Sequence, residues 1–79
     1  MSKDWNEAIA AAEAAAEQKQ AAEEVAQARF EAARTAIEAE GRAAHVTETP
    51  EFGEWMAARR ASDEAWGAWA MVMDAKPGA

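Results

Sequence analysis

TPEFGEWMAARRASDEAWGAWAMVM, residues 49–73, decides the fold. It holds Phe52, Trp55, Met56, Trp66, Trp69, Met71, Val72 and Met73, most of the large apolar side chains of the chain. Thr49 opens it as a helix N-cap, because its hydroxyl oxygen can accept an unpaired backbone N–H of the first turn. Pro50 suits the next position, where a missing N–H costs nothing and φ is already helical. Glu51 and Glu54 place negative charge at the positive end of the helix dipole. Phe52, Trp55, Met56, Arg59, Trp66, Trp69, Ala70 and Met73 recur at helical spacing and are expected on one face. Arg59, Ser62 and Asp63 interrupt that face. They lie either at the edge of the seam or in pairs with one another. Gly67 inside the helix costs about 1 kcal/mol relative to Ala. It marks either a close approach of another backbone or simple tolerance of glycine. Lys76 favours the negative helix end, and Pro77-Gly78 is the expected stop. The reading predicts a helix over about 50–75 and a tail over 76–79.

The longer half before it is mainly Ala, Glu and Gln. Asp4 with Glu7 resembles a capping pair. A helix is expected from about residue 5 to residue 44, since no Pro or Gly intervenes before Gly41 and good helix formers dominate. One stripe of this helix is polar: Glu13, Glu17, Gln20, Glu24, Gln27, Glu31, Arg34 and Glu38. Another is apolar: Trp5, Ile9, Ala12, Ala16, Ala26, Phe30, Ala33 and Ile37, broken by Lys19 and Glu23. Val25 falls off that stripe. Glu31, Arg34, Glu38 and Arg42 can form successive ion pairs, whereas Glu13 and Glu17 have no base in helical reach on their own stripe. Gly41 is the natural stop, although Arg42 to His45 could add a turn.

Residues 45–49 are left as a short connector, which favours antiparallel neighbours. The fold class is therefore all-α, a single-domain helical hairpin with Phe30, Ile37, Phe52, Trp55, Trp66, Trp69 and Met73 in its core. The arms are unequal, roughly 54 Å against about 38 Å. The second helix would cover residues 17 to 40 of the first and leave Trp5 and Ile9 bare. Three arrangements answer that overhang. The long helix bends near Lys19–Gln20 into a three-helix fold, two hairpins pair into a four-helix dimer, or the overhang binds another protein.

Composition narrows the function. The chain has 79 residues, one domain at most. Ala supplies 25 of them and Leu none, so the 51% hydrophobic fraction conceals little large apolar surface. The absence of Cys excludes disulfides, thiolate chemistry and Cys-based zinc sites. The first residues carry acids and no apolar run, unlike a secretory signal. No stretch approaches the roughly 20 apolar residues that span a bilayer, so a cytoplasmic setting is expected. The net charge of −7 repels phosphate backbones and anionic membranes, and draws the chain toward a basic surface.

Few residues could carry chemistry. His45 is the only histidine, and Ser2 and Ser62 are the only serines. Nothing in the spacing brings them together, so catalysis is not expected. His45 and Glu48 invert the Glu-x-x-His order of carboxylate-bridged metal bundles, and no metal or cofactor is expected. Arg59-Arg60 is read as an ion-pair partner of Asp63 and Glu64. The four Trp are read as core rather than as a stacking platform for bases.

The acidic stripe Glu13, Glu17, Glu24, Glu31 and Glu38 is either a solvated face or a rod of carboxylates that occupies a basic groove built for nucleic acid. Small size, a deficit of bases, the Glu stripe and the lack of catalytic groups resemble the small acidic helical inhibitors encoded by bacteriophages and mobile elements, the anti-CRISPR proteins among them. That resemblance implies a non-enzymatic inhibitor in the cytoplasm of a bacterial host, binding a protein with a basic, nucleic-acid-binding surface. The alternative is a homodimeric structural or assembly protein. In either case Trp5 and Ile9 are candidates for apolar contact.

Overall fold

A computed structural model describes residues 2–76 of the chain. Helix α1 runs Ser2–Ala39 and helix α2 runs Pro50–Asp74, joined by a connector containing a 3-10 turn, Ala43–Glu48. The two helices pack along each other as an all-α hairpin. Thr49 caps α2 as expected, its Oγ1 accepting from the Phe52 N–H at 3.1 Å.

α1 ends earlier than the sequence predicts. Gly41 takes φ +78, the left-handed conformation that a side chain disfavours. The Gly41 N–H donates to the Glu38 carbonyl and the Arg42 N–H to that of Ile37, both at 3.0 Å. This is the reciprocal helix stop that satisfies the last free carbonyls. Residues 42–45 therefore do not extend α1. They enter the 3-10 turn, which folds back against it.

That fold-back corrects the expected overhang. The first two turns of α2 lie against Phe30 rather than against the tip of α1, since Phe30 packs 5.4 Å from Phe52 and 5.0 Å from Trp55 between ring centroids. At the other end Lys76 Nζ lies 5.7 Å from the Trp5 ring. From Phe30 down to Trp5, and from Phe52 to Lys76, the helices cover about 37 and about 36 Å. The arms thus match from Phe30 down to Trp5, the N-terminal two thirds of α1. Trp5 and Ile9 are half-buried inside the hairpin rather than bare. No bend is needed at Lys19–Gln20. α1 is one uninterrupted helix, and the 59 Å length of the molecule is that of a straight rod.

The seam follows alternating steps of three and four residues on both helices, the pattern of an antiparallel coiled coil. On α1 it is the expected row of Trp5, Ile9, Ala12, Ala16, Ala26, Phe30, Ala33 and Ile37, with Ala16 at 0% exposure and Phe30 at 5%. On α2 it is rotated by one position from the aromatic face. Trp55, Ala58, Ser62, Ala65, Trp69 and Val72 are buried or half-buried, and Arg59 and Asp63 are exposed. Met73 is not core; it is 42% exposed, and Val72 takes the seam in its place. Small side chains at Ala58, Ser62 and Ala65 let the helices approach. The bulkier Phe52, Met56 and Trp66 are displaced to the flank, half-buried.

Neither Gly67 nor Gly53 reflects a close approach, because an added Cβ would meet nothing within 4 Å. Val25, off the apolar stripe, is 54% exposed. The expected stop at Pro77-Gly78 lies outside the described residues. Two indole N–H groups, on Trp55 and Trp69, are buried without an acceptor. Such a group costs about 1–3 kcal/mol.

Candidate binding surface

The hairpin has two broad faces. In an antiparallel pair, the residues flanking the seam on one side of the first helix neighbour those flanking the same side of the second. On one face α1 contributes Glu13, Glu17, Gln20, Glu24, Gln27, Glu31, Arg34 and Glu38. Beside them α2 contributes Phe52, Met56, Arg59, Trp66 and Met73. The junction is pinned where the Trp66 indole Nε1–H donates to Gln20 Oε1 at 3.1 Å. Glu17, Gln20, Ala21, Glu24 and Trp66 line a shallow groove there of about 360 Å³.

The five candidate carboxylates fall into two groups. Arg34 lies 2.6 Å from Glu31 and 3.4 Å from Glu38, so these two are already paired. Glu13, Glu17 and Glu24 are exposed, and among the described residues they form no ion pair. Their spacing along one straight helix makes an unpaired row about 16 Å long. The sequence anticipates the carboxylates but not their companion. Trp66, read as core, stands instead at the edge of the acidic row, tied to Gln20. Rotating the α2 stripe by one residue would have found it, but the pull of the aromatics favours the other choice.

Elsewhere the expected ion pairs are redistributed. Arg42 leaves Glu38 and binds Glu40 at 2.7 Å, because the helix has already ended at Ala39. Arg59 and Arg60 pair with neither Asp63 nor Glu64 among the described residues. His45 Nδ1 lies 2.7 Å from Glu48 Oε2 in the connector, and both side chains are exposed. These two residues, with Ile37, Arg42, Thr49 and Pro50, line a second open depression of about 350 Å³. No group of three acidic or histidine side chains close enough to hold a metal occurs among the described residues. No described helix is long and apolar enough to cross a membrane.

Fold and surface together define an all-α two-helix hairpin with one carboxylate-bearing flank. Comparison with known protein families, with curated proteins and with solved structures finds no match.

Proposed function

We propose that the protein is a non-enzymatic binding protein that lays the acidic flank of α1 on a basic, nucleic-acid-binding surface of a target protein. It would act there as an inhibitor of the anti-CRISPR-like kind. The observation that carries this reading is the exposed row Glu13, Glu17 and Glu24, unpaired among the described residues, on one continuous helix packed along α2. A rigid row of like charge keeps its own repulsion in the free protein, where Glu13 and Glu17 oppose each other one turn apart. A cationic groove relieves it. Association would be steered at long range and would weaken steeply with salt. Trp66, at the edge of the row, supplies an aromatic contact of the kind enriched where interfaces are strongest.

The test is capture of target proteins at low salt from a bacterial lysate with wild-type bait and with a Glu13→Lys, Glu17→Lys, Glu24→Lys bait. A captured protein that duplex DNA or RNA displaces, and that the triple variant fails to retain, supports the reading. Equal capture by both baits, or capture insensitive to nucleic acid, refutes it.

A further inference from the structure

The second broad face of the hairpin has the opposite character. It carries Ala8, Ala15, Ala22 and Val25 from α1 and Ala68 and Met71 from α2, all exposed, with Met71 at 74%. Its polar members are few, chiefly Arg29 and Gln18 on α1 and Glu54 and Glu64 on α2.

We propose that this face is covered by a second copy of the chain, giving a four-helix bundle in which the two hairpins lie parallel and each α1 rests on the α2 of its partner. Surface area is the first argument. The chain exposes 5636 Å², whereas a compact monomer of 8.5 kDa exposes about 4,700 Å². The excess, about 1,000 Å², follows from the 59 × 15 × 15 Å rod. A stable interface removes about 800 Å² per partner, so pairing along one broad face brings the area close to that of an ordinary folded protein of this size.

Charge register is the second argument, and it chooses both the face and the direction. Arg29 adjoins Phe30 and Glu54 adjoins Trp55, so both stand at the level where those rings stack. Yet Arg29 forms no ion pair among the described residues. A two-fold axis along the rod keeps levels and exchanges helices, which sets each Arg29 against Glu54 of the other copy. The same operation sets Ala22 against Glu64, close to the level where Trp66 meets Gln20. An antiparallel pairing would instead lay Arg29 over alanines. Pairing through the acidic face would take Glu13, Glu17 and Glu24 of both copies out of water, with far too few bases to meet them. The inference is independent of the proposed function, since the acidic flank stays outward in the pair.

Sedimentation equilibrium from low to high micromolar concentration reads the outcome. A species of twice the 8.5 kDa chain mass is expected. Ala15→Lys, on the shared face at the level of Met71, should raise the dimer dissociation constant on the order of tenfold or more. Ala28→Lys, which points away from both faces, should leave it unchanged. Both are exposed helical sites, so helical circular dichroism should be retained and a loss of dimer can be read as such. Arg29→Glu and Glu54→Arg should each weaken association, and the double exchange should restore it. A wild-type chain that stays monomeric, equal effects of Ala15→Lys and Ala28→Lys, or a double exchange that fails to restore pairing would overturn the proposal.

Discussion

The indole N–H of Trp5 donates to the backbone carbonyl of Val72 at 2.8 Å, joining residues 67 positions apart. With the Lys76 ammonium over the same ring, it closes the end of the hairpin opposite the connector. Replacing Trp5 by Phe keeps an aromatic ring under Lys76 and removes the donor. Urea unfolding should then show a loss of about 1 kcal/mol, the net worth of one such bond. Trp5→Ala should lose more, about 2–3 kcal/mol, because the half-buried ring goes as well. Equal stability of the two variants would mean that the ring contributes nothing.

Phe30 is the most buried large side chain among the described residues, and it meets Phe52 and Trp55 together. Phe30→Ala should cost about 3–5 kcal/mol, comparable to the whole stability of a small domain. Circular dichroism at 25 °C should show a largely unfolded chain, with helicity recovered in Phe30→Leu.

The glycines separate by conformation. Gly67→Ala should stabilise by about 1 kcal/mol, since the helix gains propensity and the new Cβ meets nothing within 4 Å. Gly41→Ala should destabilise by about 1 kcal/mol or more, because its φ of +78 is strained for any side chain. Thermal midpoints moving in the same direction for both would contradict this account.

Trp69 and Trp66 differ in what their indole N–H finds. That of Trp69 is buried without an acceptor, and that of Trp66 reaches Gln20. Trp69→Phe removes an orphaned donor and should stay within about 1 kcal/mol of wild type despite the lost ring volume. It should be tolerated at least as well as Trp5→Phe, which removes a satisfied donor of the same kind.

Glu17→Lys should leave the fold intact and stabilise it by a few tenths of a kcal/mol, because a repulsive pair with Glu13 becomes an attractive one. If that variant loses a target while its melting midpoint rises, the acidic row is maintained at the expense of stability. A fall in the midpoint would instead assign Glu17 a structural part.

The cap at Thr49, the apolar stripe of α1 and the pairing of two helices were legible from residue types alone, since each rests on contacts within a few turns. The placing of Phe52 and Trp55 against Phe30 was not. It depends on whether Arg42 to Glu48 prolong a helix or turn back along it, and both choices suit the same residues until the Gly41 backbone commits. Met73 was misread for a related reason. Two stripes one residue apart fit α2 nearly equally well, and side-chain size favours Trp66 and Met73 although the room between the helices admits only Ala58, Ser62 and Ala65 at the centre.

By itself the sequence determined that this chain would be helical, acidic and paired upon itself, because helix propensity, capping and charge are properties of residues and their near neighbours. Tertiary structure alone decided the register. It carried Trp5 to Val72 and Trp66 to Gln20, left Glu13, Glu17 and Glu24 unpaired among the described residues, and turned the alanine face outward. Sliding or rotating one rod along another barely changes local energies, so only the packed seam and the folded-back connector could select among the alternatives.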